Sequence, residues 1–187
     1  MKFVISILII VSLIYTFDAL FYSEEDTPDI IFVEEVEDPE DSKEFERNLE
    51  CLSMNIYHEA RSDNKAGKLA VADVVLNRVK SKLFPNTICE VVHQAVMRKN
   101  WLGEIVPQLH RCQFSWYCDG KSDEPKNLEV YESVTELARK FLTTDKFRGI
   151  TEGSTHYHAR YVVPKWINDR GMQKIGAIGE HIFYRWH

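Results

Sequence analysis

The sequence predicts a mainly helical α+β domain, and three observations carry that expectation. Apolar residues recur at helical spacing through most of the stretch from Phe45 to Leu142. After Thr151 the period shortens to two: Thr155, Tyr157, Ala159, Tyr161 and Val163 alternate with His156, His158, Arg160 and Val162, which predicts a small β hairpin or ribbon near the C-terminus. No internal repeat is visible, and 187 residues hold one ordinary domain plus a tail.

The elements follow in order. Asp41 and Glu44 form a capping box for a first helix carrying Phe45, Leu49, Leu52 and Ile56. A second helix over 66–83 carries Leu69, Ala72, Leu76 and Val79 and must stop before Pro85. Thr87 and Glu90 cap a third, bearing Ile88, Val91, Val92 and Ala95. Residues 99–126 contain Gly103, Pro107, Gly120 and Pro125 and read as irregular. A last helix over 127–142 runs through Val130, Val134, Leu137 and Phe141.

Charge divides the chain into unlike pieces. Residues 1–22 are apolar apart from Lys2 and Asp18 and read as a membrane anchor or signal segment. The uncharged run 3–17 falls between the roughly 10–14 residues of a signal segment and the roughly 20 of a bilayer span. Phe17-Asp18-Ala19 lacks the small-x-small pattern of a cleavage site, which favours a retained anchor. Lys2 before the run and acids behind it place the domain outside the cytoplasm, facing the periplasm or wall, or secreted if the segment is cleaved. Residues 23–42 read as an acidic disordered linker and 43–187 as the domain. Residues 23–50 hold thirteen acidic against two basic side chains, so the net charge of −6 conceals +5 from Cys51 onward. A cationic domain favours an anionic polymer such as nucleic acid, anionic lipid or cell wall, although a mixed surface gives the same sum. Cys51, Cys89, Cys112 and Cys118 form neither a C-x-x-C pair nor a familiar zinc spacing. Export makes at least one disulfide the expectation, with three pairings open; buried thiols are the plain alternative.

One residue breaks the pattern. The apolar positions 45, 49, 52 and 56 call for 59 next, and residue 59 is Glu. A carboxyl group held where burial is expected is pushed toward its protonated form and can act as a general acid. A helix-end Glu paired with Arg61 or Arg78 is the bland reading of equal weight. His58-Glu59 does not extend to H-E-x-x-H, since residue 62 is Ser. His156, His158 and His181 could assemble a zinc site, but histidines on a polar strand face more often bond substrate or solvent. No metal or cofactor is expected. Aromatic side chains crowd the irregular segments, and sugar rings pack on such surfaces.

Several ordered motifs resemble the SleB/CwlJ-type cell wall hydrolases. They are Asn55-Ile56-Tyr57-His58-Glu59-Ala60-Arg61, the stretch from Gly67 through Asn77-Arg78-Val79, and Phe84-Pro85-Asn86-Thr87-Ile88-Cys89. Then come Gln113-Phe114-Ser115-Trp116, Thr155-His156-Tyr157-His158 with Pro164-x-Trp166, and Ile178-Gly179-x-His181-x-Phe183. The resemblance implies a lysozyme-like, transglycosylase-type domain that cuts peptidoglycan between N-acetylmuramic acid and N-acetylglucosamine. It maps the family's catalytic Glu onto Glu59 and puts Gln113, Phe114, Ser115, His156, Tyr157, His158 and Trp166 along the substrate. It favours Cys89 with Cys112 as a disulfide. The expected partners of a monomer are glycan strands and, through the N-terminal segment, a membrane rather than nucleic acid. His58 departs from the family, where a small residue is common.

Glycosidases of the retaining and inverting kinds need two carboxylates. Only Glu59 has a strong claim here, with Asp63, Asp73 and Asp119 read as polar loop or helix-surface residues. One acid suffices for a lytic transglycosylase, in which the muramic acid C6 hydroxyl is the nucleophile. Hydrolysis by a muramidase or glucosaminidase is the near rival. A zinc amidase and a non-catalytic wall-binding protein are the rivals from other classes.

Overall fold

The computed structural model describes residues 39–187. The expected anchor or signal segment at 1–22 and the linker as far as residue 38 lie outside the described residues. Among those described, no helix is long and apolar enough to cross a membrane. The described chain forms four helices, α1 Pro39–Ala60, α2 Lys65–Lys80, α3 Ile88–Val92 and α4 Leu128–Thr143. It also forms a hairpin of β1 Ala95–Lys99 with β2 Ile105–Cys112, and a second sheet of β3 His156–Ala159, β4 Met172–Ile178 and β5 His181–Trp186 in the order β3-β5-β4. Every pairing is antiparallel.

α1 starts earlier than its capping box predicts. Pro39 is its first residue, where the missing amide hydrogen has no helical partner to lose. Glu40 and Asp41 then sit in the first turn, at the positive end of the helix dipole. Residues 39–42, predicted to be linker, are therefore helical. From Leu49 onward α1 is enclosed by α2, α3 and α4, with Leu52 and Ile56 fully buried.

α2 is buried on two opposite faces. Leu69, Ala72 and Val75 join the main cluster with α1, while Ala70 and Val74 pack on Phe183 of β5. A helix buried all round shows no single apolar stripe, so α2 lies as a slab between the helical core and the β3-β5-β4 sheet. It ends at Lys80, before the predicted Leu83, where the Ser81 N–H turns back to the Arg78 carbonyl. The α3 cap forms as predicted: Glu90 N donates to Thr87 Oγ1 at 3.3 Å and the Thr87 hydroxyl donates to Glu90 Oε2 at 2.8 Å. α3 stops at Val92, so Ala95, predicted to lie on it, opens β1 instead.

The segment predicted to be irregular contains the β1–β2 hairpin and a 3-10 turn over Ser115–Cys118. The disulfides also differ from the expected Cys89–Cys112 bridge. Cys51 joins Cys89, tying α1 to α3 across 38 residues, and Cys112 joins Cys118, closing the foot of the hairpin on the 3-10 turn. α4 is capped by Asn127, whose Oδ1 accepts from Val130 N at 3.0 Å, and it buries Val134, Ala138 and Phe141.

The period-two segment does form a strand, but it ends at Ala159, and Tyr161 and Val163 are exposed beyond it. Asp73, predicted to be a helix-surface residue, is buried instead. Its Oδ1 accepts from Gly149 N at 2.8 Å, and its Oδ2 accepts from Thr151 N at 3.0 Å and the Thr151 hydroxyl at 2.6 Å. This anchor fixes the loop that leads into β3.

Candidate active site

The last turn of α1 delivers Tyr57, His58 and Glu59 to an open groove of about 1020 Å³. One wall is the segment from Ser115 to Val130; the other is the end of β3 with Tyr161, Val162 and His181. Glu59 sits between them, half-buried. The Tyr157 hydroxyl donates to Glu59 Oε2 at 3.1 Å.

Burial pushes the Glu59 carboxyl above its ordinary pKa, opposed by the Tyr157 hydrogen bond and then by the field of Arg78. The negative end of α1 works in the same direction as burial. Tyr157 is itself held well above the usual phenol range by burial and by Glu59, so it remains a neutral donor. Arg78 lies buried behind the pair. Its Nε donates to the Thr155 carbonyl at 2.8 Å, and its guanidinium stacks 4.9 Å from the Phe114 ring centre and 5.2 Å from that of Phe84. Arg78 acts on Glu59 through space, and its Nη1 has no hydrogen-bond partner. Arg61 is no partner either; it lies exposed over the Tyr57 ring.

The polar residues of the α1 motif build the first wall. Asn55 Oδ1 accepts from Trp116 Nε1 at 3.1 Å. The His58 ring stacks on Trp116 at 4.6 Å and 14°, and its Nε2–H donates to the Asp123 carbonyl at 2.9 Å. Asn127 N donates to the Tyr57 hydroxyl at 3.0 Å. His58 is thus the peg that seats the 119–127 loop beside Glu59.

The other wall hangs on Asp63, predicted to be a loop or surface residue but buried. Its Oδ1 accepts from Asn64 N at 2.7 Å, and its Oδ2 accepts from Glu180 N at 2.9 Å and His181 Nδ1 at 3.3 Å. Gly67 and Gly179 press so closely on this carboxylate that a Cβ at either would overlap it. Burial holds His181 below its ordinary pKa, against the pull of Asp63.

Ser115, Tyr157 and His158 line the groove with Glu59. Phe114 is a core residue beneath Arg78 rather than a groove residue. Gln113 lies by a smaller cavity at the foot of the hairpin. The His156 ring lies tilted against Trp166 at 5.6 Å and beside Trp186, on the face of β3 away from Tyr157. His158 spans both places, accepting from the Tyr184 hydroxyl at 3.1 Å while reaching the groove. Among the described residues, no group of three His, Cys, Asp or Glu side chains is placed to hold a metal ion. Asn55, Arg78, Asp63 and the 119–127 loop were not singled out as site residues; polar side chains at core positions of helices are the signal that marks Asn55 and Arg78.

Comparison with known proteins bears on the family and the fold. The family model described as Cell Wall Hydrolase matches residues 62–184, beginning just after Glu59. The spore cortex-lytic enzyme of Bacillus subtilis (strain 168) is 27% identical over 139 residues, 73% of this chain and 37% of the relative. That of Bacillus cereus is 28% identical over 141 residues, 74% of this chain and 44% of the relative. The chain therefore spans less than half the length of these curated relatives. Among solved structures, the catalytic domain of the germination-specific lytic transglycosylase SleB from Bacillus anthracis matches with a TM-score of 0.53 at 25% identity, covering 74% of this chain and 93% of that one. The Bacillus cereus SleB catalytic domain gives 0.50 at 25% identity, covering 75% and 91%. The fold is thus the lysozyme-like, mainly helical α+β class, and the chain belongs to the cell wall hydrolase family.

Proposed function

We propose that the protein is a lytic transglycosylase that cuts peptidoglycan strands between N-acetylmuramic acid and N-acetylglucosamine, with Glu59 as its single acid and base. One observation carries the reading: a carboxyl raised in pKa by burial and steadied by a neutral phenol lines an open groove of about 1020 Å³. Protonated Glu59 gives its proton to the bridging oxygen, the C1–O bond breaks, and the N-acetylglucosamine end leaves as an alcohol. The C6 hydroxyl of the muramic acid then bonds to C1 and returns its proton to the Glu59 carboxylate. A 1,6-anhydro ring forms, no water is consumed, and the acid is restored.

The neighbouring carboxylates support one acid over two. Both oxygens of Asp63 are committed to backbone amides and His181. Asp119 is engaged by the backbone and side chain of Lys121. A nucleophile within the substrate also has a large effective concentration once the strand is held. Hydrolysis remains the competing reading, because Asp123 and Glu124 line the facing wall and could position a water. We further propose that the chain is exported and tethered by residues 1–22, which puts a domain of net charge +5 from Cys51 onward beside an anionic wall. Digestion of purified sacculi in oxygen-18 water tests the chemistry. Unlabelled 1,6-anhydro ends are expected; labelled reducing ends would replace the transglycosylase with a hydrolase and require Asp123 or Glu124 as partner.

A further inference from the structure

The β1–β2 hairpin carries an apolar surface that the groove does not use. Trp101 at its tip is 90% exposed, and Leu102, Ile105, Met97 and Val96 are all exposed around it. The register Met97↔Pro107, Arg98↔Val106 and Lys99↔Ile105 puts apolar side chains on both faces of this ribbon. The most exposed apolar side chain, Trp101, stands at the very tip with Leu102 beside it, and a ribbon that is apolar at its end suits insertion end-on. Cationic Arg98 and Lys99 stand immediately behind the tip, with Arg111 farther down β2, against a lone Glu104. Trp and Lys or Arg in this order is the pattern that seats a segment at the headgroup level of an anionic bilayer.

The tip is also built before it meets anything. Asn100 Oδ1 accepts from Leu102 N at 3.0 Å and Glu104 N at 2.9 Å, and Asn100 N donates to the Glu104 carbonyl at 2.9 Å. The Cys112–Cys118 bridge fixes the foot of the hairpin to the wall of the groove. A preorganised tip loses little freedom on docking. We propose that this hairpin is a membrane-contacting element, inserting Trp101 and Leu102 into the headgroup region of anionic phospholipid while Arg98 and Lys99 meet the lipid phosphates. If the chain is tethered as proposed, the contact would fix the orientation of the groove relative to the membrane.

The test uses the full chain reconstituted into vesicles of phosphatidylethanolamine and phosphatidylglycerol with brominated acyl chains, which quench nearby indoles. Wild type minus Trp101→Phe isolates the signal of Trp101 from the other three tryptophans, whatever residues 1–22 do. Expected are strong quenching in that difference, and a fall of about 30-fold in the ratio of inserted to free hairpin when Arg98→Gln and Lys99→Gln remove two charges. Equal quenching in wild type and Trp101→Phe would overturn the proposal. So would Trp101 quenching unchanged by the double charge removal or by purely zwitterionic vesicles. Unquenched Trp101 combined with weakened binding of Trp101→Ala to sacculi would make the hairpin a glycan contact instead.

Discussion

Replacing Tyr157 with Phe removes one oxygen atom from the site and leaves the ring packing on Phe183 and His181 in place. The lost group donates to Glu59 Oε2 at 3.1 Å and favours the ionised carboxyl. A hydrogen bond to a charged group is worth about 1.5–3 kcal/mol. Glu59 opens on the groove, so water replaces part of the lost bond and the lower end applies, about 1.5 kcal/mol or roughly tenfold in the protonation equilibrium. Burial already raises the Glu59 pKa, and Tyr157→Phe raises it further. In the proposed reaction Glu59 starts protonated, so activity should fall as pH rises through that pKa, and the variant's alkaline limb should move to higher pH. Release of anhydro ends from sacculi, measured as kcat/KM between pH 5 and 9, reads the limb directly. Thermal melting checks that the fold survives. An alkaline limb that stays in place, or moves toward acid, in a folded variant would refute the assigned coupling between Tyr157 and Glu59.

Glu59→Gln should abolish cleavage in a folded protein, since the amide cannot donate the proton; retention of more than a small fraction of activity removes Glu59 from its role. The same variant should melt higher than wild type at neutral pH. Glu59 has a folded pKa above its ordinary value of 4.5, so its contribution to stability is fully present below that value and lost as pH rises through the raised pKa. The advantage of Glu59→Gln should therefore vanish on acidification toward pH 4.5; an advantage independent of pH would show that charge burial is not its source. Opening Cys51–Cys89 with paired Ser substitutions should destabilise by about 4 kcal/mol, against about 2 kcal/mol for Cys112–Cys118, from the lengths of the closed loops. Urea unfolding measures both, and the reverse order would contradict the pairing. Tyr161→Ala, on the exposed rim of the groove, should raise KM several-fold at nearly constant kcat and melting temperature; an unchanged KM would place the glycan elsewhere.

The helical frame was legible because each of α1, α3 and α4 has either a cap or a one-sided stripe: Thr87 with Glu90, the series Val130, Val134, Leu137, Phe141, and the series Leu49, Leu52, Ile56. Glu59 stood out for the same reason, as a carboxyl in an apolar register. Boundaries failed where a local signal had a stronger competitor. The Asp41–Glu44 box lost to Pro39, whose fixed φ suits the first position of a helix. The β1–β2 hairpin was hidden because both its faces are exposed, so its sequence has no alternation to read. The disulfides were misassigned because motif membership says nothing about distance; Cys51 and Cys89 meet at a Cα separation of 5.3 Å only because α3 docks on α1. Asp63 and Asp73 looked like surface acids because a carboxylate that accepts backbone amides from a distant loop leaves no periodic trace.

A lone carboxyl that is to release and recapture a proton within one turnover, as proposed for Glu59, needs opposing influences of similar strength, and the residues behind Glu59 supply them. Burial and the end of α1 hold the proton on; the Tyr157 phenol and the Arg78 charge draw it off. A direct Arg78–Glu59 ion pair would leave the carboxyl ionised and useless as an acid. Arg78 is prevented from closing that gap by its own anchors: Nε is committed to the Thr155 carbonyl and the guanidinium lies against Phe84 and Phe114. The Thr155 carbonyl is held in turn by the loop that Asp73 ties down, through Gly149 and Thr151. The buried acid on α2 thus bears on the acid on α1 without touching it: Asp73 sets the loop, the loop sets Arg78, and Arg78 stays near enough to ease the proton from Glu59 but not to remove it.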